Sequence, residues 1–196
     1  MKLYVVRHGQ TDWNLSEKVQ GRTDIELNQT GIEQAKQAKE NLSEIDFDLV
    51  ISSPLKRTRK TAEIINEDKN VPLIFDERLI ERGFGDVEGT SPRKTGVFKE
   101  VNIWNYNENI KYNNAETVVE ICNRVWNLLD EIKEEYKGKN VLLVTHGGTI
   151  KTINAYFNGF DENGVLPRVE IGNCGIKEYE FWKFCGRCWQ NLIPIL

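Results

Sequence analysis

The sequence predicts an α/β fold, a three-layer α/β/α sandwich built on a mainly parallel, doubly wound sheet. Short apolar runs of strand length alternate with longer segments of helical periodicity. Strands that alternate with helices form parallel sheets covered on both faces. The length of 196 residues fits one domain, so we expect a single domain over residues 1–196.

The first half of the chain contains two predicted strands, each followed by a predicted helix. Residues 3–6 are a short apolar run, and residues 31–43 carry apolar side chains at near-helical spacing. Residues 48–51 are a second apolar run that ends at a Ser-Ser-Pro turn. A helix is predicted from about residue 55 to 66, where apolar and small side chains share one side.

The second half continues the alternation. Residues 72–75 predict a third strand, and residues 118–136 form the longest helical stretch because apolar residues recur at helical steps. Residues 141–144 predict a fourth strand, a helix follows over residues 149–156, and residues 176–181 predict a late strand.

Residues 91–115 interrupt this alternation and predict an excursion or lid over a cleft. The segment is rich in Asn, Lys and aromatic residues. Its aromatic residues, Trp104, Tyr106 and Tyr112, are expected to pack the lid, with stacking on a substrate ring as the alternative. Its lysines either attract an anionic substrate or are ordinary surface charges; they are Lys94, Lys99 and Lys111.

Composition excludes some functions. The net charge of −4 argues against nucleic acid as a partner. No apolar run approaches the roughly 18 residues of a membrane span, and the N-terminal run is strand-like rather than a signal peptide. We therefore expect a cytoplasmic protein without a membrane partner; the sequence leaves its oligomeric state open.

The four cysteines do not form a disulfide framework. Cys185 and Cys188 make a C-x-x-C pair, which is a redox motif or half of a zinc site in some proteins. The sequence offers no second such pair to complete a zinc site. We interpret these cysteines as reduced thiols.

The two histidines of the chain each follow a predicted strand. His8 lies in Arg7-His8-Gly9, and His146 lies in Thr145-His146-Gly147-Gly148. Ligands bind at the carboxyl ends of strands in open α/β sheets, so both imidazoles are expected in one cleft. The alternative is a hydrogen-bonded core histidine, which for His146 in isolation is the more common case.

Residues 52–59 and 79–89 bring arginines and carboxylates to the same region. Guanidinium groups match the oxygens of a phosphoryl group, so the pocket suits a phosphate. An imidazole nitrogen would attack phosphorus while an acid protonates the leaving oxygen. Arg57 also fits a solvated basic helix face. Spacing does not choose the acid among Glu77, Glu81, Asp86 and Glu88.

From Leu3 to about Cys174 the chain resembles the histidine phosphatase superfamily, also called the phosphoglycerate mutase-like family. Four segments carry the resemblance, in the family's order. They are Val6-Arg7-His8-Gly9-Gln10-Thr11-x-x-Asn14, Gln20-Gly21-Arg22-x-Asp24, Ser52-Ser53-Pro54-x-x-Arg57-Thr58 and Thr145-His146-Gly147-Gly148. The resemblance implies the phosphoglycerate mutase-like fold.

The resemblance also implies roles for individual residues. His8 would be the nucleophile that is transiently phosphorylated, and Glu81 the general acid and then the base. The rest of the phosphate pocket would be Arg7, Arg57 and His146. Substrate-side residues would be Asn14, Gln20, Gly21, Arg82 and Gly147. No metal or other cofactor is implied, and the expected partner is a small phosphorylated metabolite.

These roles set protonation requirements. His8 must be unprotonated at one ring nitrogen, with the other donating to a backbone carbonyl. His146 gains from protonation beside a phosphate dianion, and Glu81 must hold a proton. We expect an activity optimum at or below neutral pH.

The sequence favours hydrolysis over the family's other activities. The segment from Gln20 to Asp24 is similar to small phosphatases of the broad-specificity or α-ribazole type. The mutases of the family are longer, with an adjacent arginine pair that the excursion lacks, although Glu81-Arg82 is similar to them. The hypothesis is a metal-independent phosphomonoester hydrolase acting through a phosphohistidine. The alternatives are mutase-type phosphoryl transfer and phosphate binding without catalysis.

Overall fold

The computed structural model describes residues 1–91, 102–112 and 114–181, whose strands form one five-stranded sheet of order β3-β2-β4-β1-β5. β1, β2, β3 and β4 are parallel, whereas β5 is antiparallel to β1. The strands are β1 Lys2–Arg7, β2 Leu49–Ser52, β3 Leu73–Phe75, β4 Asn140–Thr145 and β5 Ile176–Glu180. The predicted mainly parallel α/β fold is confirmed.

Helices connect the strands and cover the sheet. The α-helices of the described residues are α1 Asp12–Leu15, α2 Gln29–Asn41, α3 Lys56–Asn66, α4 Val118–Glu135 and α5 Gly147–Asn158. Short 3-10 turns at Glu77–Leu79 and Gly85–Val87 shape the segment after β3. None of the helices in these ranges has the length and hydropathy needed to cross a membrane.

The sheet separates two hydrophobic cores because successive strand side chains point to opposite faces. On one face Leu3 and Val5 pack with the apolar stripe of α4 and with α5. On the other face Tyr4 and Val6 pack with residues of α2 and α3. The result is the three-layer arrangement that the sequence predicted.

The boundaries of the predicted elements shift by at most two residues, but the sequence missed α1 and the two 3-10 turns. α1 has four residues, too few to show helical periodicity, and depends on a capping box between Thr11 and Asn14. The helix predicted from residue 149 begins at Gly147. Glycine has a low helix propensity, so residue composition did not predict the first turn of this helix.

The described part of the excursion packs against the body. Tyr106 N–H donates to the Gly164 carbonyl at 2.8 Å, and Leu166 N–H donates to the Trp104 carbonyl at 3.0 Å. The Tyr106 ring lies 4.8 Å from that of Phe160, measured between centroids. Packing, the preferred interpretation of the aromatic residues, is confirmed for Tyr106. The cysteine pair Cys185 and Cys188 and the lysines Lys94 and Lys99 lie outside the described residues.

Candidate active site

The pairing of β1 with β4 brings the two histidines together. Arg7 is opposite Thr145 in the parallel register, and His8 N–H donates to the Thr145 carbonyl at 2.9 Å. Each strand is followed immediately by its histidine. The two imidazole centroids are 5.2 Å apart.

His8 is held as a neutral imidazole. Its side chain is buried, and its Nδ1–H donates to the Gly9 carbonyl at 2.7 Å. Burial, together with the nearby charges of Arg57 and Arg7, holds the pKa of His8 well below its usual value. The lone pair therefore resides on Nε2, as the expected bond to a backbone carbonyl requires.

His146 is fully buried and uses both ring nitrogens. Arg57 Nε–H donates to its Nδ1 at 3.2 Å, and its Nε2 lies 2.8 Å from the Ser53 hydroxyl. Burial and the charge of Arg57 hold the pKa of His146 well below its usual value. The free site thus holds His146 neutral; the protonated form expected beside a phosphate needs the charge of that phosphate. The sequence did not single out Ser53 as its partner.

Two guanidinium groups supply the positive charge, the buried one of Arg57 and the half-buried one of Arg7. Arg57 donates from Nη2 to the Gly21 carbonyl at 2.7 Å and from Nη1 to the Thr23 carbonyl at 2.8 Å. Burial lowers the pKa of Arg57 to about 10, so it stays charged at neutral pH. Arg7 donates from Nη1 to the Ile171 carbonyl at 2.9 Å, while its buried Nε has no partner among the described residues.

The loop that holds Arg57 is fixed by Glu88. The Glu88 carboxylate accepts hydrogen bonds from the N–H groups of Arg22, Thr23 and Phe84 at 3.0 Å and from the Thr23 hydroxyl at 2.7 Å. Gly21 has a φ of 53°, and a Cβ there would lie 1.9 Å from a Glu88 oxygen. Glu88 was a candidate acid in the sequence, but its four bonds indicate that it positions this loop.

Glu81 lies at the N-terminus of α5. Its carboxylate accepts hydrogen bonds from the backbone N–H groups of Arg82 at 2.8 Å, Gly148 at 3.0 Å and Thr149 at 3.1 Å. A Cβ at Gly148 would lie 2.4 Å from Glu81 Oε1, so only glycine allows this close approach. Gly148 was not among the predicted site residues.

An ion pair behind Glu81 fixes its backbone. Arg124 bonds Glu116 at 2.7 Å from Nε and donates to the Glu81 carbonyl at 3.2 Å and to the Arg78 carbonyl at 2.6 Å. No sequence pattern indicated this pair, because its members lie in a helix and a loop remote from the motifs.

Asn14 and Gln20 border the same region. Asn14 Oδ1 accepts from the Thr11 N–H and hydroxyl at 3.1 Å and from Asn173 Nδ2 at 3.3 Å. These bonds orient the amide, and no described residue accepts from its Nδ2. The Gln20 side chain is buried, and its Oε1 has no partner in the described residues.

The two remaining predicted substrate-binding residues, Arg82 and Gly147, have contacts different from those of Asn14 and Gln20. Arg82 is 1% exposed and donates to the carbonyls of Glu116 at 2.8 Å and Ile103 at 2.5 Å, so it ties Ile103 of the excursion to the body. A Cβ at Gly147 would meet Arg7 Nε at 3.7 Å, an ordinary contact. Substrate binding by both residues stays a prediction.

No group of three His, Cys, Asp or Glu side chains that could hold a metal ion occurs in the described ranges. The site instead groups nitrogen-bearing side chains beside one carboxylate. They are two imidazoles and two guanidinium groups. Such a set can hold a phosphoryl group and place a ring nitrogen against phosphorus.

Fold and site together define a phosphoryl-transfer enzyme. The chain belongs to the histidine phosphatase superfamily, branch 1, which matches residues 3–189. It is an enzyme of the histidine phosphatase type, as its relatives show.

Relatives include both phosphatases and mutases. "Uncharacterized phosphatase PhoE" of Bacillus subtilis is 38% identical over 90% of this chain and 86% of the relative. "Probable phosphoglycerate mutase GpmB" of Shigella boydii is 30% identical over 92% of this chain and 85% of the relative. The structure of a mycobacterial glucosyl-3-phosphoglycerate phosphatase with VO3 has a TM-score of 0.82 at 26% identity, covering 91% of this chain and 92% of that one.

Replacing Gly21 tests whether the Glu88-bonded loop positions Arg57. Gly21→Ala should lower kcat/KM for p-nitrophenyl phosphate by at least about tenfold, because the new Cβ displaces the loop carbonyls that hold Arg57. Gly138→Ala is the matched control, since Gly138 has a φ of 78° but open space around its Cβ position.

Both substitutions should cost about 1 kcal/mol of unfolding free energy through left-handed backbone strain, and Gly21→Ala should cost more because its Cβ also meets Glu88; urea denaturation measures both. Equal activity in the two variants would show that the loop does not position Arg57.

The two neutral histidines predict a pH dependence of stability. Their pKa values are depressed in the folded state, so the unfolded chain binds more protons below its ordinary histidine pKa near 6.5. The stabilisation is present above that pH and is lost as the pH falls. Two such groups should lower the unfolding free energy by about 3 kcal/mol between pH 7.5 and 5.5.

Urea denaturation at the two pH values measures this difference in phosphate-free buffer. The double variant His8→Gln/His146→Gln should lose most of the pH dependence. An equal fall in wild type and double variant would refute the assignment of neutral buried histidines.

Proposed function

We propose that the chain is a metal-independent phosphomonoester hydrolase that forms a phosphohistidine on His8. The observation that carries the proposal is the bond from His8 Nδ1–H to the Gly9 carbonyl at 2.7 Å, which leaves Nε2 as the nucleophilic nitrogen. The guanidinium groups of Arg7 and Arg57 lie close enough for their charges to act on the His8 imidazole. Nucleophile and counter-charge are therefore in place before substrate binds.

Substrate binding brings negative charge to a site rich in buried cations. Arg7 Nε has no partner in the described residues and can donate to a phosphoryl oxygen. The Nδ2 of Asn14 and the second N–H of each Arg57 Nη atom are further donors for the phosphoryl oxygens. A phosphate dianion beside His146 raises the pKa of that imidazole from its depressed value, so His146 takes up a proton on Nδ1. The Nδ1–H then donates to the phosphate in place of the bond that Nδ1 accepts from Arg57 Nε–H. Gln20 and Gly21 border the alcohol side of the pocket in this proposal.

In the first step, His8 Nε2 attacks phosphorus and the bond from phosphorus to the ester oxygen breaks. Glu81 in its protonated form donates its proton to that oxygen, which leaves as the alcohol. In the second step, Glu81 removes a proton from water, which attacks the phosphohistidine. The bond between nitrogen and phosphorus breaks, and inorganic phosphate leaves with neutral His8 restored.

Hydrolysis is favoured over mutase-type transfer, although both occur among the relatives. The most similar of the reported relatives, at 38% identity, is named a phosphatase, and so is the structural neighbour. That neighbour's name identifies glucosyl-3-phosphoglycerate as what it acts on. A small phosphorylated metabolite is accordingly the proposed substrate here.

Hydrolysis of p-nitrophenyl phosphate with EDTA present tests the proposal. Wild type should turn over repeatedly, and His8→Ala should lose at least about 10³-fold in kcat because no nucleophile remains. Lys36→Ala, an exposed substitution on α2, serves as the folded control and should keep wild-type activity.

Activity that survives in His8→Ala, or that EDTA abolishes, would contradict the proposal. Turnover that requires an added bisphosphate would instead favour the mutase alternative.

A further inference from the structure

A second cationic cluster lies beside the candidate active site. The guanidinium carbon of Arg82 is 4.6 Å from the Trp104 ring centroid, and Lys151 Nζ is 4.5 Å from it. Arg168, on the segment before β5, adds a third positive charge close enough to act on Lys151. Two separate segments of the chain thus place cations against one indole, and a third charge lies near Lys151.

We propose that Lys151, seated over Trp104, binds a carboxylate on the alcohol part of the substrate. This inference rests on the proposed function, because it places that alcohol beside Glu81. It makes Lys151 a specificity-determining residue for phosphomonoesters of hydroxy acids.

The position of Lys151 follows from its helix. It lies three residues after Gly148 on α5, and therefore on the same helix face. Gly148 N–H donates to the Glu81 carboxylate at 3.0 Å, and a Cβ at Gly148 would lie 2.9 Å from the Trp104 ring. Trp104 and Lys151 therefore border the carboxyl group that protonates the leaving oxygen.

Lys151 is a half-buried cation without a fixed anion. In the described part of the chain it forms no hydrogen bond or ion pair, whereas Lys2, Lys39 and Lys56 each pair with a carboxylate within 3.0 Å. Burial lowers the pKa of Lys151, and the charges of Arg168 and Arg82 lower it further, although Glu81 raises it.

The acidic groups near the cluster are already occupied. Both Glu81 oxygens accept backbone hydrogen bonds, and Glu116 is paired with Arg124 and Arg22. Arg168 is largely exposed and lies 3.5 Å from Glu170. A half-buried charge without a partner is costly, so an incoming anion would bind favourably at Lys151.

The chemistry of the cluster favours a carboxylate over a second phosphate. Arg82 is bonded to backbone carbonyls and Arg168 lies beside Glu170, which leaves one ammonium group for a ligand. One ammonium group balances the single charge of a carboxylate, whereas the phosphate pocket uses the two guanidiniums of Arg7 and Arg57. The indole holds the ammonium through a cation–π contact and leaves its remaining N–H donors for the ligand. The rival interpretation is that Lys151 only packs on Trp104.

Two substrates that differ in one group separate these interpretations. 3-Phosphoglycerate carries a carboxylate where glycerol 3-phosphate carries a hydroxymethyl group. Wild type should show a kcat/KM at least about tenfold higher for 3-phosphoglycerate, the size of one charge-assisted hydrogen bond. Lys151→Met should reduce that ratio by about tenfold, and Lys151→Arg should keep it.

The ratio is internal to each variant, so a loss of folded enzyme does not change it. Lys36→Met removes the same charge from an exposed position on α2 and should leave the ratio at the wild-type value. A ratio unchanged in Lys151→Met, or equal rates of wild type on both substrates, would overturn the inference while His8-dependent hydrolysis upholds the proposed function. Absence of His8-dependent hydrolysis on every substrate would overturn both.

Discussion

The parallel register between β1 and β4 is the constraint on which the site depends. Arg7 pairs with Thr145, and each is the last residue of its strand. Because a histidine follows each of them, the two imidazole rings lie close together, with centroids 5.2 Å apart. β2 pairs with the other side of β4, and Ser53 N–H donates to the Val144 carbonyl at 3.0 Å. This second pairing brings Ser53 to His146. It also places the start of α3 where Arg57 can reach His146. A shift in the strand register would move the nucleophile His8, the imidazole of His146 and the guanidinium group of Arg57 away from one another.

Burial gives these groups their chemistry. Arg57 is fully buried and remains charged, whereas His8 and His146 are neutral because a buried imidazolium beside guanidiniums is unfavourable. The site therefore combines the positive charges of its arginines with an unprotonated ring nitrogen on His8. A phosphate dianion supplies the missing negative charge. Lys151 is a similar case outside the phosphate pocket. Its half-buried ammonium group also lacks a fixed anion among the described residues.

Local sequence predicted the sheet and helices well because their apolar patterns are local. It also placed His8 and His146 together, since both follow strands. It named Glu88 only as a candidate acid and missed its positioning role, and it did not find Arg124 or Asn173; the bonds of all three to the site join segments far apart in the chain. The antiparallel direction of β5 and the strand order likewise depend on long-range pairing. Substrate-side roles were harder to predict: Arg82, predicted to bind substrate, donates to the backbone carbonyls of Glu116 and Ile103 in the structure.

The most direct test of the account is to locate the covalent phosphoryl group. Glu81→Gln cannot activate water, and p-nitrophenolate leaves without a proton, so this variant should accumulate phosphoenzyme when mixed with p-nitrophenyl phosphate. Denaturation in alkali preserves phosphohistidine, and peptide mapping by mass spectrometry then identifies the modified residue. We expect one phosphoryl group, on His8. A phosphoryl group on His146, or none on a variant that still releases p-nitrophenol, would contradict it.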